Sequence, residues 1–361
     1  MKIALISSVF FGVPAPKYGG LERVVYDLWC GLVKRGHKVV CFSPDPTDMP
    51  EGGYHFSTGP AKDTLTDESW LDMEQDMWRK YDSRLDDFSV VHGHNWFGFE
   101  YASKARNKEL NVCHTHHGHL GYWLDAERKH QWWAKPSPFK LNLIAISNHM
   151  KSLYETGYGA PGVPKIPAQT AYNGVDLSLY PYQKDKSDRY MFLGRIDPIK
   201  GVHTAIEAAE KAKVPIDIIG ATSFVSNKQY VHEMKTKCSQ SQYAEFIGEV
   251  SHEEKVRRLQ NAKGVLVCSQ FGEPFGLMTV EALSCGTPVF ALPDGALPEV
   301  IEHGKSGFLC NTVDEFVENI GKVDTLSSVD CRKNAERFTL ERMAARYEQL
   351  YETIIDGGLE W

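Results

Sequence analysis

Between residues 272 and 289 the sequence reads GEPFGLMTVEALSCGTPV, which sets two carboxylates, Glu273 and Glu281, eight positions apart. Gly272, Pro274 and Gly276 break regular structure in the first part. Leu277 to Ser284 contains neither Gly nor Pro, and Gly286 with Pro288 supplies the stop that a helix C-terminus expects. This predicts a loop feeding a short helix. The flanking runs KGVLVCSQ and TPVFAL have the length and character of buried parallel strands. In such a strand–loop–helix–strand unit the helix N-terminus lies at the carboxyl edge of the sheet. Its unpaired amides, those of Gly276 to Thr279, favour an anion such as a phosphate. Glu273 would stand in the loop beside that anion and Glu281 about one turn into the helix. Two carboxylates next to a phosphate require cations from elsewhere in the chain. The plainer alternative makes Glu281 a solvated helix carboxylate and Glu273 an ordinary loop residue.

The cations have candidates. FLGRIDPIKG ends an apolar run with Arg195 and places Lys200 shortly before a helix that opens near Gly201. A solvated turn is the competing reading of this pair. Near the N-terminus, KYGGLERVV sets Gly19 and Gly20 just before a helix, where bare backbone can approach a ligand closely. Neither half contains a GxGxxG fingerprint. A third cluster, HTHHGH, ends a strand with His114, His116, His117 and His119. Imidazoles can converge on zinc, but strand alternation puts His114 and His116 on one side and His117 on the other, against a single shared metal. Hydrogen-bonded structural histidines remain an alternative. VHGHN, His92 to Asn95, lies at another strand edge where an acceptor could be met.

These groups need a scaffold, and the chain length of 361 residues points to two domains. The composition, 42% hydrophobic and 24% charged, is that of a soluble globular protein. A net charge of -7 argues against nucleic acid as the main partner. Eight scattered cysteines without a CxxC pair read as reduced core residues of a cytoplasmic protein. The opening MKIALISSVFFGVPA superficially resembles a signal peptide, but KIALISS reads as a first buried strand that the following amphipathic helix needs as its neighbour. No stretch is long and apolar enough to cross a bilayer. Short apolar runs alternate with helical patterns throughout, among them an acidic helical stretch from about Asp67 to Leu85, a helix from about His149 and another from Val202 to Ala212. This predicts an α/β protein with two doubly wound parallel sheets. The expected domains are 1–176 and 177–338, with LSLYPYQKDKSD as linker and a closing helix in 339–361 that packs back towards the first half. Function is then expected in a cleft at the carboxyl edges of the strands.

Taken together, GGLERVV, YNGVD, GRIDPIKG, EPFGLMTVEALSCGTPV and EVIEHGKSGFL resemble the retaining family 4 glycosyltransferases of the GT-B fold, in which two Rossmann-like domains face each other. The match runs nearly the whole length and is most specific in the C-terminal half. The resemblance implies that Glu281 holds the ribose hydroxyls of a nucleoside diphosphate sugar and that Glu273 contacts sugar hydroxyls near the transferred carbon. It assigns Arg195 and Lys200 to the diphosphate, with the amides of Gly276, Leu277, Met278, Gly19 and Gly20 as further donors. His117 aligns with a histidine that contacts the donor sugar. No metal or other cofactor is implied, and the partners are a UDP- or GDP-sugar and an unidentified glycan, lipid or small-molecule acceptor. A lipid acceptor would bring peripheral membrane contact. Trp123, Trp132 and Trp133, concentrated in one loop of the acceptor half, could stack a sugar, touch a lipid or pack internally. ATSFVSN departs from the glycine-rich turn common in similar enzymes, which puts ligand contacts there in doubt. Two other functions fit the architecture, a sugar-nucleotide epimerase and a non-catalytic nucleotide-sugar-binding subunit.

Overall fold

The run KIALI forms strand β1 (Lys2–Ile6), with Ile3, Ala4 and Leu5 fully buried, as a strand covered on both faces requires. Its neighbours complete a parallel sheet of seven strands among the described residues: β2 (Lys38–Ser43), β3 (Tyr54–Ser57), β4 (Val90–Gly93), β5 (Val112–His116), β6 (Asn142–Ala145) and β7 (Ala168–Thr170). The order is β3-β2-β1-β4-β5-β6-β7. The computed structural model describes residues 1–15, 19–46, 48–62, 70–95, 110–118, 142–159, 165–222, 225 and 227–357. His119, Trp123, Trp132, Trp133 and part of ATSFVSN lie outside them.

A second sheet has six parallel strands among the described residues, β8 (Tyr190–Leu193), β9 (Ile216–Ile219), β10 (Ala244–Gly248), β11 (Gly264–Val267), β12 (Val289–Ala291) and β13 (Gly307–Leu309), in the order β10-β9-β8-β11-β12-β13. In both sheets the strand order reverses beside the first strand, between β1 and β4 and between β8 and β11. Open α/β sheets bind ligands at that switch point, outside the carboxyl ends of the strands. The chain divides accordingly into two units, Met1–Gly174 with Leu340–Trp361, and Val175–Thr339.

Helices α1 (Gly20–Lys34), α2 (Trp70–Tyr81) and α3 (Asn148–Thr156) belong to the first unit. The second contains α4 (Val202–Ala212), α5 (Lys228–Gln240), α6 (His252–Asn261), α7 (Leu277–Ser284), α8 (Leu297–Val300), α9 (Val313–Ile320) and α10 (Ser328–Ala335). The bounds of α4 and α7 are those that the sequence predicts. The acidic stretch instead divides into α2 and a 3-10 segment, Asp82–Asp87. Ser147 caps α3 by accepting a hydrogen bond from the Met150 amide at 3.1 Å, so the helix starts one residue before His149.

The last helix, α11 (Leu340–Ile355), returns to the first unit. Leu340, Met343, Ala344, Tyr347, Leu350, Tyr351 and Ile354 are its buried residues, and their spacing of three and four puts them on one face. Burying the larger of them is worth on the order of 10 kcal/mol before chain entropy is counted. Where α11 meets α1, Gly31 admits it: a Cβ at that position would lie 2.6 Å from the Ala344 Cβ and 2.9 Å from the Leu340 Cδ2. Gly31→Leu should therefore overpack this contact at a cost of about 1–3 kcal/mol. Thermal unfolding should register a melting temperature several degrees lower, and an unchanged one would mean that the two helices do not touch there.

Candidate active site

In the second unit the predicted residues gather around the switch point. Arg195 follows β8, and Lys200 closes the 3-10 turn Pro198–Lys200, whose start is capped by Asp197 accepting from the Ile199 amide at 3.3 Å. Gly201 makes the position of Lys200 possible. It has φ 69°, and a Cβ there would lie 2.1 Å from the Cys268 carbonyl oxygen at the end of β11. The turn after β8 is thus pressed against the strand that feeds the glutamate loop.

Glu273 lies in that loop, and its Oε2 accepts from the Lys200 ammonium at 2.8 Å and the Ser269 hydroxyl at 3.1 Å. Lys200 also lies over the Phe271 ring, 4.2 Å from its centroid. The loop itself is held from below: the amides of Gly272 and Glu273 donate to one oxygen of Asp294 at 2.7 and 3.1 Å, and the Glu273 carbonyl accepts from Ala296 at 2.8 Å. Gly276, in the left-handed region at φ 86°, then starts α7. The Thr279 amide is spent on the Gly276 carbonyl at 2.9 Å, which narrows the expected row of donors to Gly276, Leu277 and Met278.

Glu281 is not a solvated helix carboxylate, for the residue is only 8% exposed. Its Oε1 accepts from the Tyr180 hydroxyl at 2.6 Å and from the Lys255 ammonium at 2.8 Å. Burial alone would raise its pKa, but Lys255 and Tyr180 outweigh that and hold the carboxyl below its ordinary value. Each glutamate of the spaced pair therefore has a lysine of its own. The sequence points to Lys200. It does not mark Lys255, which sits inside the charged run SHEEKVRR and reads there as a solvated helix face, nor Tyr180 in the linker.

In the first unit Gly19 and Gly20 stand where β1 has given way to α1, with Gly19 at the N-cap. A Cβ on Gly19 would lie 2.3 Å from the Ala15 Cβ, so only glycine fits this approach. His117 follows β5 and meets His94 from the end of β4: His94 Nδ1 and His117 Nε2 are 2.9 Å apart and the rings stack. His114 and His116 lie within β5, their rings 6.2 Å apart. Among the described residues no group of three or more His, Cys, Asp or Glu is placed to hold a metal ion. His92, expected at a strand edge, lies inside the unit. It is fully buried, with Nδ1 2.6 Å from the Tyr351 hydroxyl and Nε2 2.8 Å from that of Thr115, which itself meets Tyr347 at 3.0 Å. Its work is to tie β4 and β5 to α11, and the apolar pattern of VVHGH hides this because the partners lie at the far end of the chain.

Burial pushes His92, His94 and His114 well below the ordinary histidine pKa, and His117 down to about 3, with neighbouring imidazoles adding to the effect. Unfolded histidine takes its proton near pH ~6.5, whereas these four stay neutral in the folded unit. Their contribution to stability is intact above about pH 6.5 and is lost progressively as pH falls below it towards the folded values. The melting temperature should accordingly drop between about pH 7.5 and about pH 5.5. A flat profile across that window would mean that the four are not held neutral.

Comparison with known proteins identifies the family and the fold. Residues 18–179 match the family described as Glycosyltransferase Family 4, and residues 181–338 match Glycosyl transferases group 1. Glycogen synthase of Mycobacterium tuberculosis is 25% identical over 356 aligned residues, covering 86% of this chain and 82% of its own. Among solved structures, sucrose-phosphate synthase from Thermosynechococcus elongatus superposes with a TM-score of 0.79 at 19% identity, over 99% of this chain and all of that one. Anabaena HepE, solved with UDP and glucose, gives 0.72 at 17% identity, over 98% of this chain and all of its own. The chain belongs to the group 1, family 4 glycosyltransferases and has the two Rossmann-like domains of the GT-B fold.

Proposed function

We propose that this glycosyltransferase moves a hexosyl unit from a UDP- or GDP-sugar to a glycan, lipid or small-molecule acceptor, with retention at the anomeric carbon and without a metal. The observation that carries the reading is the pair of glutamate–lysine contacts flanking a helix N-terminus at the switch point of the second sheet. Two hydroxyl acceptors, each with its own cation, and the helix N-terminus that lies between them in the chain match a nucleoside diphosphate sugar. HepE, solved with UDP-glucose as well as UDP, lends support to that donor class.

Breaking the anomeric bond leaves positive charge on the sugar and negative charge on the diphosphate. Preorganised donors aimed at the leaving group lower that barrier most. Arg195, Lys200 and the amides of Gly276, Leu277 and Met278 are of the right kind, and they supply the charge that a metal would otherwise bring. In this proposal Glu273 reads sugar hydroxyls, Glu281 reads the ribose, Gly19 and Gly20 add amides, and His117 contacts the donor sugar. Retaining hydrolases use a carboxylate nucleophile with a second carboxyl acid. Here both glutamates are engaged by lysines, which favours attack by the acceptor on the leaving-group face, with a phosphate oxygen taking its proton.

Thermal-shift titration with UDP, GDP, ADP and their sugar conjugates tests the donor class. A ligand at about one hundred times its Kd adds about 2.7 kcal/mol to stability, and the absence of any shift at millimolar ligand would reject the nucleotide-sugar reading. Donor turnover should require a second substrate, which neither an epimerase nor a binding subunit would. Glu281→Ala should mainly weaken donor binding, while Lys200→Ala should lower kcat by about 10²–10³. Wild-type kinetics in both variants would remove these residues from the site. Activity should survive EDTA.

A further inference from the structure

Glu281 has two carboxylate oxygens in unequal circumstances. Oε1 takes both hydrogen bonds, from the Tyr180 hydroxyl and the Lys255 ammonium, and among the described residues Oε2 takes none. The side chain is nearly enclosed, with 11% of its surface exposed. Tyr180 and Lys255 are themselves well placed to hold it. Tyr180 is 2% exposed and packs edge-on against His252, the first residue of α6. Its carbonyl accepts from the Arg332 guanidinium at 2.9 Å, and the same guanidinium reaches the Ser284 carbonyl at the end of α7 at 2.6 Å. Lys255 rises from the first turn of α6, which Ser251 caps through the Glu254 amide at 3.2 Å. Two elements distant in sequence thus converge on one oxygen of one side chain.

A carboxylate pinned through Oε1 loses the rotation that an unpinned glutamate would have, and its other oxygen becomes an acceptor in a fixed direction. A vicinal diol offers two hydroxyl donors to such an acceptor, and a hydrogen bond to an ionised partner is about twice as strong as one to a neutral group. Resting on the donor reading above, we propose that Lys255 and Tyr180 are positioning residues for the nucleoside. They clamp Oε1 of Glu281 so that Oε2 faces the 2′- and 3′-hydroxyls of the donor's ribose, and discrimination between ribo- and deoxyribonucleotides belongs to the three residues together. Removing the ammonium leaves a buried carboxylate without its counter-ion. Such a group takes up a proton and turns its acceptor into a carboxylic acid, which no longer distinguishes a diol from a single hydroxyl to the same degree.

The test is calorimetric titration of the folded full-length protein with UDP, GDP and ADP, followed by the 2′-deoxy form of whichever binds. Wild type should prefer the ribonucleotide by about tenfold or more. Lys255→Arg should keep that preference, and Lys255→Met should reduce it to about threefold or less. If Lys255→Met weakens both forms equally and leaves the ratio intact, Lys255 merely packs and the proposal is overturned. A wild-type ratio near one overturns it too, because the diol being read would then belong to the sugar, while the donor reading would stand. Folded wild type that binds none of the three nucleotides would sink the donor reading and this inference with it. Should Lys255→Met fail to fold, Tyr180→Phe, which deletes a single hydroxyl, carries the same comparison and should lower the ratio.

Discussion

The second unit depends on pairing two carboxylates with ammonium groups at the edge of a protein interior. An unpaired buried carboxylate costs several kcal/mol and protonates instead. Glu273 and Glu281 each meet an ammonium at 2.8 Å, and for Glu281 the Lys255 ammonium and the Tyr180 hydroxyl hold the carboxyl below its ordinary pKa. The two lysines come from different elements, the turn after β8 and the first turn of α6. Much of the local architecture serves to bring them in. Gly201 seats its turn on Cys268, Asp294 holds the glutamate loop, and Arg332 fastens the Tyr180 segment to the end of α7. The outcome is a patch whose charges cancel locally, while the amides at the start of α7 keep their preference for an anion.

The first unit answers the opposite requirement. His92, His94, His114 and His117 are kept neutral by burial; the His92 ring nitrogens meet two hydroxyls, and Nδ1 of His94 meets Nε2 of His117. In one unit, then, carboxylates are paired with ammonium groups. In the other, histidines are held uncharged by enclosure. The two arrangements respond to different perturbations, the first to loss of a partner and the second to protons.

What could be read from the chain follows from how far apart the interacting residues lie. The helix at 277–284 and the one at 202–212 are legible because glycine, proline and apolar spacing act locally, and the element bounds agree with them. Glu273, Lys200 and the glycine at 276 are legible for the same reason, since they occupy loops next to clear strands. Strand β3 is not, for Tyr54 is 52% exposed and the segment YHFS forms an edge with neither an apolar run nor clean alternation. Lys255 is hidden because a lysine among glutamates and arginines looks solvated until its partner, 26 residues away, is known. His92 is hidden more deeply, its tyrosine partner being 259 residues distant. Charge balance predicts that such partners must exist but gives no means of choosing among the chain's lysines.

The path of the chain through α11 also bears on how the protein is made. The face of α1 around Gly31 is covered by Leu340 and Ala344, and His92 is tied to Tyr351. These partners leave the ribosome only after all of Val175–Thr339 has been synthesised. Domains generally fold as units during synthesis, the N-terminal one first, but here the unit begun first is the one completed last. Throughout elongation it shows an apolar helix face and a buried-type histidine to solvent, whereas the second unit, contiguous in sequence, can close as soon as it emerges. The earlier half of the nascent chain therefore waits for one helix that follows the later half in sequence.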